Sequence, residues 1–383
     1  MKDNRRGFIK KSASLAAAMT IGGVSSATQL SLGQKIKNDL KLNGMAKDAG
    51  MEFSNAYFWG LEAHSYLIEL SKQMDALGAV AGISPQTAGF PDAKPWDYKV
   101  IAGVKDAYRK VGLNYNVVEG PPSLGTKTKL GLDGRDEEIA NFITFMKNLK
   151  KAEVDVICYN WMPVISWART SVDSPGRGGA LMTAFDYDQI KDKPLTEYGE
   201  FSKETMWNSL EYFLKAVVPE AEKIGMKLAL HPDDPQVHNI QGIPRIMNTV
   251  DNFDRMLKIM PSDYSGVTMC QGNYSLMGAD IPSLIRRWGK AGKIHFVHFR
   301  NVKELSGNLP STKFTETFHD EGDIDMYEAM KAYYEVGFKG AIRPDHVPTM
   351  AGEENVRPGY MDIGNLFAIG YMRGLAESVS RRL

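Results

Sequence analysis

The sequence predicts a single (β/α)₈ barrel, and two features of the chain support this fold class. From Met51 onward, short apolar runs rich in β-branched residues alternate with longer amphipathic runs, a pattern typical of a parallel sheet covered by helices. Eight such units follow one another, and eight is the number that closes a barrel. An open doubly wound sheet is the structural alternative, but no glycine-rich phosphate-binding turn follows the first apolar run.

The predicted elements follow one another in a regular order. Strands are predicted over residues 52–58, 78–83, 113–118, 154–159, 226–230, 266–269, 294–299 and 340–343. Helices are predicted over residues 97–111, 136–152, 203–224, 282–292 and 325–336. The connection over residues 163–199 is long, and connections of this length inside a compact domain are usually functional or disordered. We interpret it as part of a substrate lid, with a plain surface excursion as the alternative.

Composition and charge exclude some classes of partner. Hydrophobic residues make up 43% of the chain and charged residues 24%, proportions typical of a soluble globular protein. The 46 basic residues balance the 46 acidic ones, so the chain has no net field to attract a nucleic acid or an anionic membrane. The sequence therefore favours a small-molecule partner, and it leaves a homo-oligomer open.

The N-terminal segment differs from the rest of the chain. A twin-arginine pair, Arg5-Arg6, precedes a short, weakly apolar run and a small-residue cleavage site at Ala27. This pattern predicts a removable signal and export by the twin-arginine route to the periplasm, since the run is too short for a stable membrane span. A disordered basic tail and an uncleaved anchor are the alternatives. The predicted boundaries are residues 1–30 for the signal, 31–50 for a linker or N-terminal helix, and 51–383 for the barrel.

Each of the last four predicted strands ends in a residue that can bind a metal ion. These residues are His231, Cys270, His298 and Asp345. In a barrel the carboxyl ends of the strands converge on one face, so residues far apart in sequence become neighbours. A single His or Cys beside a strand is usually structural, but four successive strand ends of this kind predict one shared metal ion. A set of imidazole, thiolate and carboxylate suits Mn²⁺, Fe²⁺, Co²⁺ or Zn²⁺ better than Mg²⁺ or Ca²⁺.

The other cysteine and three of the other histidines are predicted to be structural. An even cysteine count in an exported protein invites a disulfide, but metal ligation would make Cys270 a thiolate and remove it from that chemistry. Cys158 is interpreted as a small residue that faces the core. His295 precedes a predicted ligand by three residues in the same strand and is therefore expected on the opposite face. His64 and His238 are interpreted as surface or structural residues.

Several segments, in the correct order, carry a resemblance to a known family. They include Ile342-Arg-Pro-Asp-His346 and lie at residues 157–164, 212–219, 230–235, 242–246, 296–302, 318–323, 342–346 and 357–360. From about Asp136 to near its end, the chain resembles the mannonate dehydratases of the xylose-isomerase-like barrel superfamily. The resemblance implies a barrel of that superfamily and a metal-dependent hydro-lyase that converts D-mannonate into 2-keto-3-deoxy-D-gluconate and water.

Carried over residue by residue, the resemblance also implies roles. It makes the four strand-end residues the metal ligands, with Mn²⁺ or Fe²⁺ as the favoured ion, and it makes His346 and Tyr360 the acid–base pair. Which of the two is the acid stays open at this point. Candidates for binding the carboxylate and hydroxyls of a sugar acid are Arg300, Asn160, Arg169 and Arg343, each with a structural salt-bridge role as the alternative.

Two strand ends in the first half of the chain depart from the family pattern. The segment after the second strand, residues 79–89, contains no histidine, and the segment after Glu119 is also altered. Because these ends line the substrate side of the site, the resemblance implies the metal chemistry more firmly than the substrate. Two alternatives therefore stay open. One is an exported metal-dependent isomerase or epimerase of the same superfamily, and the other is a catalytically silent sugar-binding barrel.

Overall fold

A computed structural model describes residues 50–382 of the chain. The predicted signal and the linker or N-terminal helix lie outside these residues. Within them, no helix combines the length and the apolar character that crossing a bilayer requires.

The described part of the chain forms strands and helices in alternation. The strands are β1 (Glu52–Ala56), β2 (Gly78–Ala81), β3 (Asn114–Glu119), β4 (Val156–Asn160), β5 (Ser171–Pro175), β6 (Leu181–Asp186), β7 (Lys227–His231), β8 (Asn239–Ile240), β9 (Ile243–Pro244), β10 (Ser265–Cys270), β11 (Ile294–His298), β12 (Val302–Glu304), β13 (Lys313–Glu316) and β14 (Ala341–Arg343). The α-helices span Gly60–Ala63, Ser65–Gln73, Tyr98–Lys110, Thr126–Leu130, Arg135–Lys151, Lys203–Ile224, Val250–Ile259, Gln271–Leu276, Ile281–Lys290, Met326–Glu335 and Asp362–Ser380.

Eight of the strands close into a parallel barrel in the order β1-β14-β11-β10-β7-β4-β3-β2. All eight predicted strands are confirmed, and their ends differ from the predicted ends by at most two residues. The five predicted helices are confirmed within the same margin. The predicted fold class, a (β/α)₈ barrel, is therefore confirmed.

The helix over Lys203–Ile224 shows why these segments are helical. It begins at Ser202, whose hydroxyl accepts the backbone N–H of Thr205 at 3.0 Å, and such a cap satisfies an otherwise unpaired donor. It ends at Gly225, which has a φ of +72°, a left-handed conformation that glycine adopts without a steric penalty. Apolar side chains at helical spacing face the barrel and are buried, including Leu210, Phe213, Leu214 and Val217.

The barrel has an inner and an outer core. The outer core lies between the strands and the helices, as expected for strands whose outward faces are covered. The inner core consists of Val80, Val117, Cys158, Ala229, Phe296 and Ala341. The ring of Phe296 packs edge-on against that of His298, with the ring centroids 4.8 Å apart. The inner core therefore reaches up to the strand ends and supports the residues there.

The long connection over residues 163–199 is not an irregular loop. It contains β5 and β6, which pair with each other. Together with β13, the neighbour of β6, and β12, they form a four-stranded antiparallel sheet in the order β12-β13-β6-β5. Three of its residues, Ser166, Trp167 and Val172, line the cavity described below. The connection thus covers one side of the carboxyl ends of the barrel strands, in agreement with its interpretation as part of a cover over a site.

Candidate active site and metal centre

Three of the predicted metal ligands are the last residues of their strands. His231 ends β7, Cys270 ends β10 and His298 ends β11, and these strands are neighbours in the barrel. The Nε2 atom of His231 lies 3.1 Å from Nδ1 of His298. One donor atom from each of the three residues lies within 4.8 Å of the other two. The closure of the barrel therefore brings together residues that are up to 67 positions apart in sequence.

Asp345, the fourth predicted ligand, follows β14 by two residues. Its Oδ2 atom lies 3.4 Å from Nδ1 of His298 and 3.7 Å from Sγ of Cys270. The backbone at Asp345 is left-handed, with a φ of +67°, a conformation that aspartate tolerates better than most residues. This turn interrupts the alternation of the strand, and both Asp345 and His346 line the cavity.

The separations of His298 from His231 and Asp345, and of Cys270 from Asp345, fit donors that share a divalent metal ion, although only His231, Cys270 and His298 form a group whose donor atoms all lie within 4.8 Å of one another. Four donors arranged tetrahedrally at usual Zn²⁺-type bond lengths lie about 3.3–3.8 Å from one another, close to the separations of 3.1, 3.4 and 3.7 Å found here. Metal-binding histidines usually donate their other N–H to an oxygen that orients the ring. His231 Nδ1 lies 2.7 Å from the carbonyl oxygen of Pro232, and His298 Nε2 lies 3.5 Å from a carboxylate oxygen of Glu119.

The electrostatics of the cluster also favour a cation. Burial raises the pKa of the Cys270 thiol, but the Arg300 guanidinium and His231 have a larger opposite effect and lower it to about 6. The thiolate is therefore accessible near neutral pH. Burial and Arg343 lower the pKa of His298, whereas Asp345 and Glu119 raise it to about 10. The carboxylates of Asp345 and Glu119 thus stabilise a positive charge on the ring of His298. A metal ion bound here would supply the same charge.

His346 and Tyr360, the predicted acid–base pair, lie together at the same cavity. Their ring centroids are 5.2 Å apart with an interplanar angle of 89°. Nδ1 of His346 lies 3.0 Å from Oε1 of Glu316, a buried carboxylate on β13. Burial raises the pKa of the Tyr360 hydroxyl well above its usual value, and the nearby Asp345 raises it further.

The cavity has a volume of about 490 Å³ and opens at the carboxyl ends of the barrel strands. Its polar and titratable lining residues include Glu119, Asn160, His231, Asp234, His298, Arg343, Asp345, His346 and Tyr360.

Two of the four predicted substrate-binding residues line this cavity. Arg343 donates a hydrogen bond to Glu119 at 2.9 Å and forms an ion pair with Asp345 at 2.8 Å, so it links two carboxylates of the site. The side-chain oxygen of Asn160 accepts a hydrogen bond from the buried Lys129 at 3.0 Å. Both side chains are therefore held in place beside the cavity.

The other two, Arg169 and Arg300, are absent from the cavity lining formed by residues 50–382. Arg169 donates to Asp234 at 2.5 Å and to Glu316. Arg300 donates to Asp234 at 3.0 Å, lies 3.2 Å from Asp345, and also donates to Glu316. The side chains of both arginines are fully buried and pair with Asp234, which lines the cavity, and with Glu316, which is buried behind it. These contacts agree with the alternative that the two arginines form structural salt bridges.

Glu119 and Glu316 were missed as site residues by the sequence reasoning. Glu119 carries the same signal as the predicted ligands, because it is the last residue of a barrel strand. Although burial raises its pKa, Arg343 and His298 lower it to about 2. Glu316 lies on β13 outside the barrel, and no pattern in the sequence marks it.

Cys158 and three of the other histidines were predicted to be structural. Both cysteines are free, and Cys158 belongs to the inner core and lines the cavity, where its sulfur lies within 4.8 Å of donor atoms of Glu119 and His298. His295 is buried with its Nδ1 atom 3.0 Å from the carbonyl of Leu228, on the face opposite to Phe296. His64 is also buried and contacts Arg357 at 2.8 Å, whereas the exposed His238 contacts Asn248 at 3.2 Å. These surroundings agree with the structural interpretation.

A family model for D-mannonate dehydratase (UxuA) matches residues 55–197 and 192–383 of the chain. The mannonate dehydratase of Thermotoga maritima is 33% identical over 347 residues, which cover 81% of this chain and 94% of that protein. The mannonate dehydratase of Streptococcus uberis is 35% identical over 324 residues, or 78% and 91% of the two chains. The chain belongs to the D-mannonate dehydratase family. It is therefore a hydro-lyase of the sugar-acid dehydratase type, and the family indicates a divalent metal.

Solved structures support the same placement. The crystal structure of mannonate dehydratase from Streptococcus suis serotype 2 aligns with a TM-score of 0.76 and 30% identity, covering 87% of this chain and 94% of that one. A structure of L-ribulose 3-epimerase aligns with a TM-score of 0.52 and 14% identity over 87% of this chain and 96% of that one. The second likeness shows the fold alone, a xylose-isomerase-like barrel, as predicted. This mannonate dehydratase family member thus shares its barrel with epimerases.

Proposed function

We propose that the chain removes water from D-mannonate to give 2-keto-3-deoxy-D-gluconate. One observation carries the proposal. Donor atoms of His231, Cys270 and His298 lie within 4.8 Å of one another, and Asp345 lies 3.4 Å from His298 and 3.8 Å from His346, in a chain of the mannonate dehydratase family.

The four residues are proposed to hold Mn²⁺ or Fe²⁺, because a mixed nitrogen, sulfur and oxygen set disfavours Mg²⁺ and Ca²⁺. When bound, such an ion supplies a Lewis acid for the carboxylate and the neighbouring hydroxyl of the substrate, which makes the hydrogen on C2 more acidic. The remaining steps belong to the side chains of the protein.

His346 is proposed as the base that removes the proton from C2. Its Nδ1 atom faces the carboxylate of Glu316, whose pKa burial raises but Arg300 and His346 lower, so Glu316 is a charged acceptor. An N–H at Nδ1 that donates to Glu316 leaves Nε2 with its lone pair free to accept a proton. We assign this tautomer from the contact with Glu316, although the Arg300 guanidinium, which can only donate, also contacts Nδ1. Glu316 then acts as a positioning residue.

Tyr360 is proposed as the acid. Because burial raises its pKa well above the usual value, the hydroxyl keeps its proton at neutral pH and can donate it. The C2 proton passes to His346, the C3–O bond breaks, and the departing hydroxyl takes the proton of Tyr360 and leaves as water. The enol that remains becomes the 2-keto acid when C3 takes up a proton and O2 loses one.

Arg343 and Asn160 are proposed to bind the substrate, because both line the cavity beside the four ligands. Arg169 and Arg300 are proposed to act indirectly. They neutralise Asp234 and Glu316, and through Glu316 they hold the ring of His346.

An epimerase is less well supported than a dehydratase, because proton transfer between two faces of a carbon requires a second base. The cavity lining contains three carboxylates, Glu119, Asp234 and Asp345. Each is paired with at least one arginine, and the pKa of each is lowered by these pairs. None is therefore suited to accept a proton near neutral pH.

Export by the twin-arginine route and a homo-oligomeric state are further proposals. The first is supported by the Arg5-Arg6 pair and the short run that follows it. Mass determination of the mature protein from a periplasmic extract tests both the cleavage and the location.

The function is tested with a panel of aldonic and uronic acids and added Mn²⁺, scored for 2-keto-3-deoxy acids. We expect turnover of D-mannonate by the wild-type protein and a loss of at least about a thousandfold in His346→Ala, with the metal content unchanged. Absence of turnover on every aldonate would defeat the proposal. Loss of metal from His346→Ala would mean that His346 has a different role.

A further inference from the structure

The cavity is larger than the reacting part of the substrate requires. Its volume is about 490 Å³, within the range that usually accommodates drug-sized ligands rather than a short chain of carbons. The proposed reaction involves the carboxylate, C2 and C3, which are served by the candidate ligands together with His346 and Tyr360. The part of the cavity beside Phe58, Trp59 and Trp167, which we call the outer part, is therefore available for another part of the ligand.

The outer part is bounded by a continuous series of aromatic rings, which we call the aromatic arc: Phe58, Trp59, Tyr360, His346 and Trp167. The ring of Trp59 lies 5.4 Å from that of Tyr360, measured between centroids, and that of Phe58 lies 5.5 Å from it. His346 continues the arc at 5.2 Å from Tyr360, and Trp167 follows at 5.5 Å from His346. The arc joins the end of β1 to the connection after β4.

Three rings of the arc are exposed on their outer sides. The exposed fraction is 49% for Trp59, 39% for Trp167 and 36% for Phe58, although all three line the cavity. The cavity surface beside them is formed by Met162, Val172 and Pro358, which offer no charged group. Large aromatic side chains in such positions usually mark a binding surface.

The free end of a six-carbon acid would leave these rings unused. Its hydroxyls on C4, C5 and C6 need polar partners, which Asn160, Ser166 and Asp234 offer in the lining, whereas the arc adds apolar aromatic surface. A pyranose ring fits such a surface, because its C–H face can pack on an aromatic ring while its hydroxyls point to water at the open side. We propose that the aromatic arc binds a second sugar unit, so that the substrate class is a glycosylated sugar acid.

The reaction itself limits where the second unit can be attached. This inference rests on the proposed function, in which O2 becomes the keto oxygen and O3 leaves as water. Both must therefore be free, and the glycosidic bond is confined to O4, O5 or O6. The glycosidic bond is neither made nor broken, and the product is the corresponding glycosylated 2-keto-3-deoxy acid.

The test compares D-mannonate with 4-O-β-D-mannopyranosyl-D-mannonate by isothermal titration calorimetry on the Mn²⁺-loaded full chain. In the wild type, we expect the dissociation constant of the disaccharide acid to be lower by about tenfold or more. Trp59→Ala should reduce this ratio to about one, while Trp59→Phe should keep most of it, because a ring face remains. Tyr66, which is 59% exposed and outside the cavity lining, provides the control Tyr66→Ala with an unchanged ratio.

Equal or weaker binding of the disaccharide acid by the wild type overturns the proposal. Turnover of D-mannonate is measured in parallel, so a failure of the proposed function is seen separately from a failure of the sugar subsite. A second copy of the chain could occupy the arc instead of a sugar. Light scattering, which measures the molar mass in solution, is therefore compared between the wild type and Trp59→Ala. Dissociation of an oligomer in the variant would assign the arc to a subunit interface and overturn the proposal.

Discussion

The strand ends of the two halves of the barrel form two sides of one cavity with opposite characters. In the second half, β7, β10, β11 and the turn after β14 supply His231, Cys270, His298 and Asp345, whose donor atoms lie within a few ångströms of one another. In the first half, β1 leads into Phe58 and Trp59, whose rings are partly exposed. The second half thus presents charge that can hold a metal, and the first half presents mainly apolar surface.

This difference explains why family membership predicts the metal site of the chain more firmly than the surface that contacts the rest of the substrate. A metal site needs a fixed number of donors at fixed distances, so its residues are closely constrained by the chemistry. The side that contacts the distal part of a substrate needs only a complementary surface, which many residues can provide. We therefore expect the second half of the barrel to determine the chemistry of this chain, and the first half to influence its choice of substrate.

The largest effect should come from removing the thiolate. Cys270→Ala deletes a donor from the cluster, and we expect metal content to fall below detection and activity to fall by about a thousandfold or more. Cys158→Ala is the matched control, because Cys158 is the other buried cysteine inside the barrel and lies on the first-half side. It should retain the metal. If Cys270→Ala bound metal as the wild type does, the metal would not depend on the second-half side of the cavity, and the proposed difference between the two sides would be wrong.

A second effect distinguishes histidines within the second half. His295 faces the outer core, and burial lowers its pKa to about 4. Below its unfolded pKa of about 6.5, the unfolded chain gains a proton that the folded chain does not. The free energy of unfolding should therefore decrease as the pH falls from about 6.5 to about 4, by up to about 3 kcal/mol for this residue.

Urea denaturation at a series of pH values measures this dependence. His295→Gln should show a flatter decrease over the same range, while replacement of the exposed His238 by Gln should leave the slope as in the wild type. An unchanged slope in His295→Gln would contradict a neutral, buried His295.

The smallest expected effect concerns the contact between the two sides. Glu119 at the end of β3 lies 3.5 Å from Nε2 of His298 and accepts a hydrogen bond from Arg343. Glu119→Ala removes the acceptor that orients a candidate ligand, and we expect metal affinity to fall about 10- to 100-fold with the fold intact. Glu119→Gln keeps an acceptor oxygen and should lose less. Competition with a fluorescent chelator measures both values, and identical affinities in all three proteins would show that the two sides act independently.

The barrel could be predicted from the sequence because its signals are local. Each apolar run and each amphipathic run can be recognised within about ten residues, and the order of these runs is enough to predict the fold. The antiparallel pairing of β6 with β13 was missed for the opposite reason. The register joins Phe185 to Phe314, more than a hundred residues later, and no local pattern records such a pairing.

The candidate site was predictable in part. Residues at strand ends could be placed together because barrel geometry determines where those ends lie. The sequence could not show which arginines line the cavity and which form buried salt bridges. Arg343 reaches the cavity, whereas Arg169 and Arg300 pair with buried carboxylates. The difference depends on side-chain direction and on Glu316, a residue outside the barrel strands.

The amino-acid order alone determined the alternation of strands and helices and the donor types at the last four strand ends, because both are properties of short segments. Tertiary structure alone decided which carboxylate faces His346, which arginines remain beside the cavity, and that the rings from β1 and from the connection after β4 form one arc. These features arise from contacts between segments that are remote in sequence, and such contacts exist only once the barrel has closed.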